Sequence, residues 1–153
     1  MQSGNKLKPI KMIHLAFCAA IGIFALTVFS IVKDQVHFDG SFDQDIGLYP
    51  LFPIMAAFSV FAGIMLFNKQ ISLVERSADL DAKLTKYQVA FLIRCAFLEG
   101  GSLMNISAFL ISANLVFLLA AIVPFVFLVK YRPSKTEVIE DLDLQYPDTE
   151  QLD

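Results

Sequence analysis

The sequence predicts an all-α, polytopic membrane protein, with four transmembrane helices forming a small bundle of two antiparallel hairpins. Three observations predict it. Hydrophobic residues fill 56% of the 153 positions, and the mean hydropathy is +0.62, too apolar for an ordinary soluble domain. Four apolar segments, at about 12–32, 48–67, 88–111 and 115–130, approach the ~20 residues that cross a hydrocarbon core about 30 Å thick. The charged residues are segregated along the chain, with Lys and Arg alternately dense and sparse in the flanks of those segments.

The first segment follows a stretch that carries Lys6, Lys8 and Lys11 and no acid. It is too long for the apolar region of a cleaved signal peptide and has no small-residue exit. Leu15-Ala16-Phe17-Cys18 does not serve as a lipidation site, because Phe17 stands where a small residue is needed. Cys18 and Gly22 form a small-xxx-small pair, a place where another helix could approach closely. His14, near the start of the segment, is expected to make an interfacial or helix contact.

The first loop is acidic, with Asp34, Asp39, Asp43 and Asp45 against Lys33 alone. With His37 it could bind a divalent cation only weakly, and its spacing matches no known calcium loop. The second segment carries Pro50 and Pro53 in its first turns, where a missing amide donor costs least. Its Ser59 and Gly63 form a second small-xxx-small surface. In the polar stretch 68–87, Ile71, Leu73, Val74, Leu80 and Leu84 recur at helical intervals. A helical connector continuing the second and third segments is therefore expected there.

Only Ser112-Ala113-Asn114 separates the third and fourth segments, which forces them into an antiparallel hairpin. Asn114 or Ser112 can cap the fourth helix, and Pro124 is expected to kink it. Residues 1–132 thus make the membrane domain and 133–153 a tail. In that tail Ser134 and Glu137 form a capping box for a short amphipathic helix, and the acidic end beyond Leu144 is expected to be disordered. Tyr49, Tyr87 and Tyr131 are expected to anchor at the membrane interface, and both cysteines, Cys18 and Cys95, to be small buried hydrophobes. Lys and Arg cluster before the first segment, between the second and third, and after the fourth. That pattern predicts both termini in the cytoplasm.

The third segment carries the chemistry. Arg94, Glu99, Ser102 and Asn105 interrupt it, and at about 100° per residue they and Ser112 fall within an arc of about 160°. A polar arc on a spanning helix must face protein or a water-filled cavity. Arg94 lies about 9–10 Å from the start of the span and is expected to snorkel outward, whereas Glu99 lies about 17 Å in, near the midplane. Their i,i+5 spacing separates them by about 140°, too far for an ion pair within the helix. Glu99 must find a partner on another helix, find one in a second copy of the chain, or keep its proton. Gly100 and Gly101, which follow it, permit close helix approach or a local bend.

Tyr87-Gln88, Arg94, Glu99-Gly100, Asn114 and the ending Arg132-Pro133-Ser134 with Ile139–Leu144 resemble a set of small four-helix bacterial inner-membrane proteins. The resemblance implies a fold and a bacterial inner-membrane location but no activity. Locally, Leu98-Glu99-Gly100 is similar to the carboxylate helix of the proteolipid (c) subunits of rotary ATP synthases. That similarity implies that Glu99 alone would carry an ion. The second segment lacks that family's alternating-glycine run, the central loop is longer, and Arg94 is additional.

No nucleophile elbow, phosphate-binding glycine loop or zinc-spaced cluster occurs, so no catalytic residue, metal or cofactor is expected. The expected partners are the bilayer and other membrane subunits or a second copy, and not nucleic acid. The resulting expectation is a non-enzymatic accessory or assembly subunit of a larger membrane complex. Arg94, Glu99, Ser102 and Asn105 would form its contact surface, and Cys18, Gly22, Ser59, Gly63, Gly100 and Gly101 its close helix contacts. The alternative is a small ion- or proton-translocating oligomer built on Glu99.

Overall fold

The computed structural model describes residues 6–41 and 50–152. Among them lie five α-helices, one short 3-10 helix and no strand: α1 (Lys8–Val32), α2 (Leu51–Ser72), α3 (Leu80–Ser112), α4 (Leu115–Lys130), α5 (Lys135–Leu142) and the 3-10 helix Asp148–Leu152. Three helices, α1, α2 and α3, are each long and apolar enough to cross a membrane. A fourth span results if α4 and α5, which bend by 84° at their junction, are taken together.

Each helix begins and ends where local chemistry permits. Pro9 lies in the first turn of α1 and Pro50 caps α2, positions whose amides have no partner within the helix. Asn114 accepts from the Val116 amide at 3.1 Å to cap α4, as its residue type predicts. Ala113 ends α3 in the left-handed region at φ 54°, which allows the tight reversal into α4. In α5 the capping box forms: Ser134 Oγ accepts from the Glu137 amide while Glu137 accepts from the Ser134 amide, both at 3.2 Å. The polar connector is helical at both ends, since α2 runs on to Ser72 and α3 begins at Leu80.

The central helix is α3, which contacts α1, α2, α4 and α5, while α2 also packs on α4. Its inward face carries Tyr87, Phe91, Leu98 and Phe109, all fully buried. Outward faces remain apolar and uncovered: Leu26 on α1 is 70% exposed and Phe61 on α2 is 64% exposed. In water such surface would collapse or aggregate. In lipid it is the solvated surface, and packing shape rather than water exclusion holds the helices together.

At the end opposite the lysine-rich start of α1, the first loop is stitched to the α3–α4 turn. The His37 amide donates to the Ala113 carbonyl and the Leu115 amide to the His37 carbonyl. The Asn114 side-chain amide donates to the Asp39 carbonyl at 2.8 Å, and the Asp39 amide donates back to Asn114 Oδ1. His37 and Asp39 thus serve a backbone clasp, and no metal-holding group occurs among the described residues. Asp43, Asp45, Tyr49 and the expected start of the second span at Leu48 lie outside the described residues.

Four expectations need correction. Tyr87 is fully buried, with its ring edge-on to Phe67 and stacked on Phe91; it is a core ring and not an interfacial anchor. Pro124 is buried within an unbroken α4, and the sharp bend falls later, between Tyr131 and Ser134. Ser102 Oγ donates to the Ala121 carbonyl at 3.1 Å, in the turn before Pro124; the carbonyl that Pro124 leaves without a helical donor is that of Ala120, one residue earlier. The tail beyond Leu144 is ordered and folds back: Leu144 and Leu152 are buried, and Asp148 pairs with the buried Lys83 at 3.2 Å. An acidic composition disfavours a core, but these two leucines and one buried lysine dock the segment against α3. Fourth, Gly22 makes no close helix contact, since a Cβ placed there would meet nothing within 4 Å.

Candidate functional site

The four polar residues of α3 do three different jobs. Ser102 and Asn105 are fully buried and bridge helices. Ser102 reaches α4 through the Ala121 carbonyl. Asn105 Nδ2 donates both to the Phe52 carbonyl of α2 and to the Gly101 carbonyl, each at 3.0 Å. Hydrogen bonds of this kind between helices in lipid contribute about 1–2 kcal/mol at most. They fix register more than they hold the fold, and here they join α2, α3 and α4 at one level.

Arg94 does not snorkel. It is 6% exposed, and its guanidinium lies between the rings of Phe67 and Tyr131, with Cζ 3.8 Å and 4.4 Å from their centroids. Phe91 is a third ring at 5.4 Å. A planar guanidinium offers two faces for stacking, and each desolvated cation–π contact contributes about 2 kcal/mol. The length of the arginine stem would let it reach water, but α2 and the α4–α5 elbow occupy that route. The Nε of Arg94 is buried without a hydrogen-bond partner among the described residues, and the buried hydroxyl of Tyr87 lies within reach of the same guanidinium. The acid that acts most strongly on both comes from the tail, Asp141 of α5. Burial pushes the Asp141 carboxyl above its ordinary value. Arg94 opposes that shift, and Glu137 and Glu140 add to it.

Glu99 stands apart from this cage. It lies about 60° around the helix from Ser102, is only half-buried, and makes no hydrogen bond or ion pair among the described residues. The structure therefore brings Arg94, Ser102 and Asn105 into the core and leaves Glu99 at its edge.

Among the small residues, α2 and α3 make the close approach. A Cβ on Gly101 would fall on Ser59 Oγ and come within 2.7 Å of Ser59 Cβ, and a Cβ on Gly63 would stand 3.3 Å from Phe97 Cβ and 3.4 Å from the Arg94 carbonyl oxygen. Gly100, one residue from Gly101, faces open space along an apolar cleft of about 290 Å³ that Met55, Phe58 and Met104 also line. Cys18 is half-buried, with Sγ 3.8 Å from His14 Nε2, and Cys95 is buried; both are free thiols.

His14 is the contact whose weight exceeds expectation. Its Nε2 lies 2.9 Å from the Leu128 carbonyl and ties α1 to α4, while its ring tilts against Phe91. A histidine inside an otherwise apolar run was the sequence signal for it. No family model, curated protein or solved structure matches this chain.

Proposed function

We propose that this chain is a four-span, multi-pass protein of the bacterial inner membrane with both termini in the cytoplasm. On this reading it acts without enzymatic chemistry, as an accessory or assembly subunit of a larger membrane complex. The observation that carries the reading is Glu99. A carboxylate about 20 Å along α3 from its Ser112 end lies deep in any membrane that α3 spans. It is half-buried at the outer edge of the chain's own packing and has no hydrogen-bonding or ionic partner among the described residues. Such a group in hydrocarbon is retained where something else satisfies it. A donor on a partner helix laid along that edge would do so. The Ser102 hydroxyl and the Asn105 Nδ2 are spent within the chain, so their role is to hold α3 rigid behind the contact.

The test is purification from native membranes in mild detergent. A stoichiometric membrane partner should co-elute with the wild type and with Glu99→Gln, which keeps hydrogen-bonding capacity, and be lost from Glu99→Leu. Equal recovery with all three sequences would refute the reading. Carbodiimide labelling of Glu99 that Na⁺ or protons compete away would replace it with ion translocation.

A further inference from the structure

At the lysine-rich end of α1, a cleft of about 440 Å³ opens between the first turns of that helix and the α4–α5 elbow. Lys8 and Lys11, three residues apart and so on one face of α1, line it from one side, and Arg132 lines it from the other. Met12, Leu15 and Cys18 continue the wall along α1 away from the cations, and Met12 and Leu15 are 62% and 68% exposed. No acidic side chain lines the cleft, and none of the three cations is in an ion pair among the described residues. By contrast Lys6, Arg76 and Lys83 each hold an aspartate.

We propose that this cleft is a binding site for an anionic phospholipid, whose phosphate headgroup lies among Lys8, Lys11 and Arg132. Charge complementarity selects the headgroup, because three cations lining one cleft with no ion-pair partner among the described residues attract an anion. The apolar wall selects a lipid over free phosphate. An acyl chain continuing from the phosphate runs along Met12 and Leu15 into the same layer that the exposed faces of α1 occupy. The site joins two elements far apart in the chain, so a bound lipid would brace the α4–α5 elbow against α1, beside the bond from His14 to Leu128.

Native mass spectrometry of the full chain, released from detergent containing phosphatidylglycerol and phosphatidylcholine, tests this. The wild type should retain phosphatidylglycerol preferentially. Lys8→Gln/Lys11→Gln/Arg132→Gln should lose that retention by roughly fivefold per cation removed. Lys69→Gln/Lys86→Gln/Lys130→Gln, which removes equal charge from outside the cleft, should keep it. An equal loss in both variants, or no preference in the wild type, would overturn the proposal. So would displacement of the lipid by millimolar inorganic phosphate, which would make the headgroup anion alone the ligand. If the triple variant does not elute as a folded protein, Lys11→Gln and Arg132→Gln singly should each show the roughly fivefold loss, and unchanged retention in both would equally reject the site.

Discussion

Ser59 Oγ occupies the position that a Cβ on Gly101 would take. The α2–α3 contact is closest at this pair, with Ser59 turned to donate to its own helix at the Ala56 carbonyl, 2.7 Å away. Gly101→Ala should therefore destabilise the protein by about 1–3 kcal/mol, the usual cost of overpacking. Gly100→Ala, which meets nothing, should be neutral or stabilising by up to about 1 kcal/mol through helix propensity. Reversible unfolding in mixed micelles measures both. Adding Ser59→Gly should recover part of the Gly101→Ala loss.

The cage around Arg94 predicts non-additive substitutions. Arg94→Lys keeps the charge but loses the planar stack on Phe67 and Tyr131, and should cost about 1–2 kcal/mol. In a double-mutant cycle of Arg94→Met with Tyr131→Leu, a coupling of about 1 kcal/mol or more is expected. A coupling near zero would mean that the ring and the guanidinium do not interact.

Tail docking should depend on pH. Burial raises the Asp141 carboxyl above its value in a free tail, so the docked form holds its proton to higher pH than the undocked form. The contribution of Asp141 to docking is then fully present below the ordinary carboxylate value of about 4 and is lost as pH rises through the raised one. Proteolysis of the 143–152 segment should accelerate over that interval. Asp141→Asn should flatten the dependence, and the difference between the two proteins isolates Asp141 from the pairs Arg76–Asp143 and Lys83–Asp148.

Ala113 holds φ at 54°, a conformation that costs a residue with a Cβ roughly 1–2 kcal/mol. Ala113→Gly removes that cost and adds a smaller entropic cost in the unfolded chain. Thermal unfolding should show a net stabilisation of up to about 1 kcal/mol, and Ala113→Val a loss.

The helical segments, the caps at Asn114 and Ser134 and a polar arc on the third helix that must face protein were legible in the sequence, because composition, capping chemistry and helical angle are local properties. What surrounds Arg94 was not. Its cage draws Phe67 from α2 and Tyr131 from beyond α4, and depth along one helix says nothing about what blocks the way to water. Gly100 and Gly101 read alike in the chain, and only the register of α2 against α3 separates an open position from an occupied one. The tail's acidic composition concealed the buried Leu144 and Leu152 and the pairing of Asp148 with Lys83, more than 60 residues earlier in the chain.

The clasp between the first loop and the α3–α4 turn has a mechanical consequence. His37 and Asp39 are bonded in both directions to residues 113–115, so α1 and the α3–α4 hairpin share a pivot at that end. At the other end the exposed pair Lys6–Asp81 resists little, and the hold comes from the bond of His14 to Leu128 and from the buried Leu7 and Ile10. A swing of α1 about His37 would therefore have to draw Leu7 and Ile10 out of the core. The cleft where Lys8 and Lys11 face Arg132 lies at that far end, so an anion bridging those cations would add to the hold on the helix at the point where leverage about His37 is greatest.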